Sequence, residues 1–133
     1  MVSYLELINS FCQKSHHSWV NQHQKTRGKR TPRMKEMCGY KFDINTNWDD
    51  LCPLWRMKQR GDHEDYIKKL LPNIESSDIE LISEKVHDIW MTNNIQYKEE
   101  EWCKDKFCPY ENLPDNEKEF DREIAKILLT LKY

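Results

Sequence analysis

The most constraining feature of this sequence is a short internal repeat. Residues 8–20 and 79–91 align without gaps at an offset of 71 positions, and a His-x-x-Trp motif falls at the same place in both. The identical pairs are Ile8 with Ile79, Lys14 with Lys85, His16 with His87, and Trp19 with Trp90. Each copy is followed by a loop and then by an aromatic residue, acidic and polar residues, Leu and Pro, at Trp48–Pro53 and Tyr110–Pro114. This order predicts a helix–loop–helix unit that occurs twice, in a pseudo-twofold arrangement.

Apolar residues recur at helical spacing in four segments, so the sequence predicts a mainly α-helical fold with long irregular loops. The predicted helices run from Ser3 to about Lys25, from about Pro53 to Leu71 with a break at Gly61-Asp62, from Ser76–Asp78 to about Asn94, and from Pro114 onwards. Ser3 and Glu6 form a predicted capping box. Residues 26–47 and 96–113 are predicted to be irregular.

The predicted third and fourth helices each carry an apolar stripe that should face the core. The stripe residues are Ile79, Ile82, Val86, Ile89 and Trp90 on the third helix, and Phe120, Ile124, Ile127, Leu128 and Leu131 on the fourth. A chain of 133 residues has the size of one domain. We therefore expect one domain built from two half-repeats, about 1–74 and 75–133.

The second half carries a longer motif. It comprises His87–Trp90, the run Cys108–Arg122 and the closing apolar segment Ile127–Tyr133. These residues resemble the ryanodine-receptor repeat domain (RyR domain) family. The first half resembles a degenerate copy through His16–Trp19 and Trp48–Pro53, and it lacks the Gly-Trp-Thr-Tyr-Gly-like loop of the family.

The resemblance implies a fold and a function. RyR repeats in the channels are cytoplasmic tandem pairs, in which two such tryptophans clamp a flat ligand with an adenine nucleotide nearby. Free-standing RyR domains occur in prokaryotic and viral proteins. The resemblance thus implies a cytoplasmic, non-enzymatic module whose Trp19 and Trp90 clamp an adenine nucleotide or nucleotide-derived signal. Such a chain would act as a sensor or a sponge, the latter as a phage or viral counter-defence protein.

The residues themselves leave alternatives open. Two indole rings can sandwich a purine, or both can be core tryptophans that pack the first helix on the third. His16 and His87 lie one helical turn before each tryptophan. They can hydrogen-bond the ligand or satisfy a buried backbone group.

Charge is divided unevenly along the chain. Residues 1–74 carry +5 and residues 75–133 carry −7, and six cations without an acid lie between Lys25 and Lys35. That segment is either a solvated loop or an anion site. With the resemblance, its predicted phosphate-binding residues are Arg27, Lys29, Arg30 and Arg33, with Arg56 and Lys58 as further candidates.

Two other functions fit the charge division. One is a protein–protein interaction module that uses the basic and acidic halves, including homo-oligomers formed head to tail. The other is nucleic-acid binding through residues 25–35, which the near-neutral total and the acidic second half disfavour.

Several classes of protein are not expected. The sequence has no nucleophile elbow, Walker loop or His-Glu-x-x-His motif, so we expect neither an enzyme nor a cofactor. Five cysteines are an odd number, which favours reduced thiols over a disulfide framework. A structural zinc site is not expected either, because it usually needs two closely spaced pairs of ligands and Cys103 and Cys108 form only one. No apolar run is long enough for a membrane span, and the first residues lack the pattern of a signal peptide.

Overall fold

The computed structural model describes residues 3–101 and 103–132, and its fold is mainly α-helical, as the sequence predicted. The closing Tyr133 of the resemblance lies outside the described residues. The elements are α1 (Tyr4–Arg27), β1 (Met34–Met37), β2 (Tyr40–Asp43), α2 (Pro53–Leu70), α3 (Ile79–Asn93) and α4 (Asp115–Lys132). Short 3-10 turns lie at Trp48–Asp50, Leu71–Asn73, Ile95–Tyr97, Lys104–Lys106 and Tyr110–Asn112. No helix in the described ranges is both long enough and apolar enough to cross a membrane.

Side-chain caps define the starts of α1 and α3. The Ser3 hydroxyl accepts a hydrogen bond from the Glu6 amide at 3.2 Å, and the Glu6 carboxylate accepts one from the Ser3 amide at 3.4 Å. The predicted capping box is therefore confirmed. At α3, the Asp78 carboxylate accepts from the amides of Glu80 and Leu81, which satisfies two donors that the helix leaves unpaired.

The prediction that residues 26–47 are irregular is wrong in part, because they contain an antiparallel β-hairpin. β1 pairs with β2 in the register Met34–Asp43, Lys35–Phe42, Glu36–Lys41 and Met37–Tyr40. The two-residue turn between the strands is Cys38-Gly39, with φ values of 51° and 81°. Positive φ at both central residues is typical of the type I′ turns that join hairpin strands.

Cys38 holds a left-handed backbone conformation that side chains other than Asn, Asp and Gly rarely adopt. We expect Cys38→Asn to raise the free energy of unfolding by about 1 kcal/mol, because Asn tolerates this conformation and Asn-Gly favours the turn. Urea unfolding measures the change, with Cys38→Val as the opposite control, since a β-branched residue is strained there. Equal stability of the two variants would contradict this account of the turn.

The predicted break of the second helix at Gly61-Asp62 is also wrong. α2 runs unbroken through these residues. Lys58 donates to the Asp62 carboxylate at 2.7 Å, and both side chains are 10% exposed. This contact joins consecutive turns at i and i+4 across the glycine, which favours the helix.

The chain divides into two compact units, residues 1–63 (unit 1) and 64–133 (unit 2), with the division inside α2. In unit 1, Ile44, Leu51 and Trp55 form a buried apolar cluster. Partly buried residues that pack against it are Trp19, Met37, Phe42, Trp48 and Cys52. The hairpin and the turn at Trp48–Asp50 thus help build the core of the first repeat.

In unit 2, α3 packs against α4. Ile82 and Val86 of the predicted α3 stripe are buried, whereas Ile79, Ile89 and Trp90 are half-buried. The α4 stripe is only partly confirmed, because Leu128 is buried but Phe120, Ile124, Ile127 and Leu131 are half-buried. The buried residues of α4 are Asp121, Ala125 and Leu128. The buried face of α4 is therefore rotated away from the predicted stripe. It includes the carboxylate of Asp121, which the apolar periodicity places in solvent.

Candidate functional site

The His-x-x-Trp motif of unit 1 holds the loop that follows α1. His16 is buried, and its Nε2–H donates to the Thr46 carbonyl at 2.7 Å. Its ring lies parallel to that of Trp19, with centroids 6.0 Å apart and planes at 12°. The Trp48 ring is inclined to the imidazole by 58° at 5.9 Å.

The motif of unit 2 repeats this geometry. His87 is buried, and its Nε2–H donates to the Cys108 carbonyl at 2.9 Å. The Trp90 ring lies parallel to it at 5.8 Å and 13°, and the Tyr110 ring is inclined by 55° at 6.3 Å. Of the two roles that the sequence left open for these histidines, the bond to a buried backbone group is confirmed.

The turns after the two loops match as closely. The 3-10 turns Trp48–Asp50 and Tyr110–Asn112 are each closed by a backbone hydrogen bond from the following leucine, at 3.2 and 3.0 Å. Those leucines, Leu51 and Leu113, have φ/ψ of −74°/146° and −74°/145°. The repeated sequence pattern therefore corresponds to a repeated local structure.

The two tryptophans already contact rings of their own units. Trp19 stacks on His23 at 4.8 Å and 11°, in addition to its contact with His16. Trp90 contacts Phe107 at 5.1 Å and 42°. Both indoles are half-buried, so each has a packed part and an exposed part. The packed part of each indole lies against residues of its own unit, and the exposed part is what a ligand would contact.

The two equivalent histidines differ in charge environment. In unit 2, Nδ1 of His87 lies 3.3 Å from the Asp121 carboxylate, and the His87 side chain is 3% exposed. Burial lowers the pKa of His87, but the Asp121 bond and charge and the Cys108 bond outweigh it, so the net pKa is raised. The protonated form of His87 is therefore favoured: with Nε2–H on the Cys108 carbonyl, a proton on Nδ1 would face the Asp121 carboxylate.

Unit 1 has no such carboxylate at His16 among the described residues, and burial lowers the pKa of His16 despite its bond to Thr46. The nearby His63 is 3% exposed, and its Nδ1–H donates to the Gln59 carbonyl at 2.7 Å. Burial and the charge of Lys58 lower the pKa of His63 to about 4, against the opposing effect of the Gln59 bond. Unit 1 thus buries histidines whose neutral form is favoured, whereas unit 2 buries one whose charged form is favoured.

The basic segment 25–35 forms the end of α1, a turn and the start of the hairpin. The turn Gly28–Thr31 is anchored by its carbonyl groups. His23 Nε2–H donates to Thr31 at 2.7 Å, and the Asn45 side chain donates to Lys29 and Thr31, each at 3.1 Å. Nδ1 of His23 is buried without a hydrogen-bond partner in the described part of the chain. The turn therefore directs its carbonyls inward and leaves its cationic side chains in solvent.

The predicted phosphate-binding residues fall into different environments. Lys29 and Arg30 are exposed in this turn, and neither pairs with a carboxylate of the described residues. Arg27, in the last turn of α1, and Arg33, just before β1, are half-buried. Arg56 Nη1 donates to the Asp49 carbonyl at 3.2 Å and so contacts the 3-10 turn after the loop.

One cluster of unit 1 was not predicted from the sequence. The ammonium groups of Lys35 and Lys58 lie 5.5 and 5.4 Å from the centre of the Trp55 ring. Lys35 is 6% exposed, so it is part of the core and cannot belong to a solvated basic loop. Lys35 is buried because it lies in β1 opposite Phe42. Its burial could be predicted from the sequence only if the strand had been recognised first.

The cysteines are free thiols in different environments. Cys103 is buried and donates to the Tyr97 carbonyl at 3.0 Å, whereas Cys108 is half-buried and Cys38 is exposed. Within residues 3–101 and 103–132, no three His, Cys, Asp or Glu side chains come together in a group that would suit a metal ion.

Comparison of the chain with protein-family models, curated proteins and solved structures finds no match. The resemblance to the RyR domain family therefore stays a prediction that rests on the motifs of the sequence.

Proposed function

We propose that this chain is a non-enzymatic binding module for an adenine nucleotide or a nucleotide-derived signal, with Trp19 and Trp90 as the residues that stack on the base. The observation that carries the proposal is the duplicated geometry of the His-x-x-Trp motif. In both copies a buried histidine donates a hydrogen bond to a loop carbonyl, and a half-buried indole lies parallel to the histidine ring. An indole held in this way loses little side-chain entropy on binding, which favours stacking.

The cations of unit 1 supply the second part of the proposed site. Lys29 and Arg30 project from a turn whose backbone is fixed by His23 and Asn45. Without carboxylate partners among the described residues, they keep their charge available for an anion. Together with Arg27 and Arg33 they would bind phosphate through ammonium and guanidinium donors.

The two repeats differ in the loop that follows the His-x-x-Trp motif, since the described part of the second repeat has no anchored cationic turn of this kind. In the second copy the aromatic residue of the 3-10 turn follows Trp90 by 20 positions, and in the first copy it follows Trp19 by 29. The longer loop holds the cationic turn and the hairpin. The phosphate would therefore bind at the cationic turn of the first copy. A module of this kind suits a sensor subunit or a sponge that sequesters a signal.

Replacing either tryptophan tests the proposal. Trp19→Leu and Trp90→Leu should each weaken binding of the nucleotide by roughly 5- to 150-fold, because stacking on one ring is worth about 1–3 kcal/mol. Titration calorimetry measures the affinity, and circular dichroism checks that each variant is folded. Tyr40→Leu is the matched control, since it removes an aromatic ring that is 66% exposed.

The control should bind as the unaltered protein does. Lys29→Ala with Arg30→Ala should weaken binding of a nucleotide but leave binding of adenosine unchanged. If both tryptophan variants are folded and bind the nucleotide normally, the stacking role is wrong.

A second candidate function is a protein–protein interaction module. Dividing the chain at the boundary of the two compact units gives unit 1 a charge of +5 and unit 2 a charge of −7, the same division that the half-repeats show. Oligomers that dissociate as salt is added, with no nucleotide binding, would favour this function over the first.

A further inference from the structure

The outer edge of β2 presents backbone groups that the hairpin does not use. Neighbouring residue pairs of an antiparallel ladder alternate between hydrogen-bonded and non-hydrogen-bonded pairs. The Ile44 amide donates to the Arg33 carbonyl at 3.0 Å, so Arg33 and Ile44 form a hydrogen-bonded pair. Counting along the register from this pair, Lys41 and Asp43 belong to non-hydrogen-bonded pairs. Their N–H and C=O groups therefore point away from β1.

This edge is open in the described part of the chain. Lys41 and Asp43 are exposed, and no described residue hydrogen-bonds to the backbone N–H or C=O of either. An open edge of this kind is a template for another strand. The two residues also place their side chains on the outer face of the hairpin, since Lys35 and Phe42 occupy the inner face.

The edge is complementary to itself. Two β2 strands that run antiparallel and are centred on Phe42 bring Lys41 opposite Asp43 of the second copy, and Asp43 opposite its Lys41. The outward-pointing groups are those that this register would join, so four backbone hydrogen bonds form along with two pairs of opposite charge. The Asp43 Oδ1 atom accepts from the amides of Arg33 and Asn45, which leaves Oδ2 for the lysine.

The other edge does not have this property. Antiparallel pairing of two β1 strands centred on Lys35 would set two buried lysines directly opposite each other, and like charges in this position destabilise a sheet. A lysine on an edge strand also discourages pairing with unrelated strands. In the β2 pairing, that charge is matched by the second copy's Asp43.

We propose that two copies of this chain associate through β2 into a four-stranded antiparallel sheet with twofold symmetry. The symmetric register makes a closed dimer, because each copy uses the same surface. The shared edge is only four residues long, so the dimer is weak and forms at high protein concentration. This association does not depend on nucleotide binding.

Sedimentation equilibrium over about 10 μM to 1 mM protein tests the dimer. The unaltered chain should shift from monomer to dimer across this range. Lys41→Asp should weaken the association about tenfold or more, because it sets two carboxylates against each other at both ends of the register. Lys29→Asp makes the same change of charge on an exposed turn and should leave the association unchanged.

Hydrogen exchange of the unaltered chain, followed by NMR, tests the register without a variant. The amides of Lys41 and Asp43 should gain protection at the high concentration, and those of Met34 and Glu36 should not. A chain that stays monomeric throughout would overturn the proposal. So would a dimer that Lys41→Asp leaves intact, or one in which the β1 amides are the protected ones.

Discussion

Asp121→Ala should lower the free energy of unfolding by about 1–3 kcal/mol, because it removes a buried carboxylate 3.3 Å from Nδ1 of His87 and leaves that nitrogen without a partner. The Asp121 side chain is 12% exposed and that of His87 is 3% exposed, so water cannot readily replace the lost carboxylate, and His87 loses its proton instead of staying a buried cation. The loss can be measured by urea unfolding of the full chain near neutral pH.

The matched control is Asp115→Ala, on the same helix. Asp115 also contacts a cation, Arg122 at 3.4 Å, but its side chain is 88% exposed. That variant should cost less than about 1 kcal/mol. Replacing His87 by Leu together with Asp121→Ala should cost less than the two single changes combined, because both changes remove the same contact. If Asp121→Ala is no more harmful than Asp115→Ala, the contact between His87 and Asp121 does not stabilise the fold.

The two units should respond to pH in opposite directions between pH 5 and 8.5. The pKa of His63 is lowered to about 4 in the folded chain, so folding of unit 1 excludes a proton. The stability that this gives is present above the unfolded pKa of about 6.5 and is lost as the pH falls toward 4. At pH 5 the loss should be about 2 kcal/mol, and the lowered pKa of His16 acts in the same direction.

The stability of unit 2 should change with pH in the opposite direction. The pKa of His87 is raised, so folding of unit 2 holds a proton. The resulting stability is present below the unfolded pKa and is lost as the pH rises through the folded one. Burial raises the pKa of Asp121 despite the opposing charge of His87, which also favours a proton on the folded unit. Glu80 and Glu119 have lowered pKa values and act only below this pH range.

Hydrogen exchange with mass spectrometry separates the two responses, because peptides of residues 3–63 and 64–132 report on each unit after correction for intrinsic rates. Exchange of unit 1 should accelerate toward pH 5 and that of unit 2 toward pH 8.5. His63→Leu should remove much of the acid response of unit 1, whereas His17→Leu, at an exposed position, should not. Parallel changes in both units would contradict this assignment of charge.

Local signals in the sequence predicted the helices well. Ser3, Glu6 and Asp78 lie where caps are needed, and Pro53 and Pro114 lie where helices begin, so α1 to α4 begin within a few residues of their predicted positions. These signals act within one turn of the chain and therefore appear in the sequence.

The hairpin could not be predicted in the same way. Met34–Met37 contains no β-branched or aromatic residue, and its turn is Cys-Gly rather than Asn-Gly, so both usual signals are missing. Its strand structure depends on packing of Lys35 and Phe42 around Trp55, which are distant in the sequence. Tertiary contacts override weak local preference here.

The candidate site, like the fold, could be predicted from the sequence only in part. The repeat predicted that His16 and His87 occupy equivalent positions, and their bonds to Thr46 and Cys108 agree with that. It could not predict that the pKa of His16 is lowered and that of His87 is raised. That difference comes from Asp121, whose burial rotates the inner face of α4 away from the apolar stripe.

The central claim is that the paired His-x-x-Trp motifs serve to bind an adenine nucleotide. Titration of the unaltered protein with AMP, ADP, ATP and cyclic AMP at low salt, followed by tryptophan fluorescence, tests it most directly. We predict a saturable change with at least one of these nucleotides, at one nucleotide per chain, which Trp19→Leu and Trp90→Leu each shift to higher concentration. Fluorescence that shows no saturable change with any of them, up to millimolar concentration, would contradict the claim.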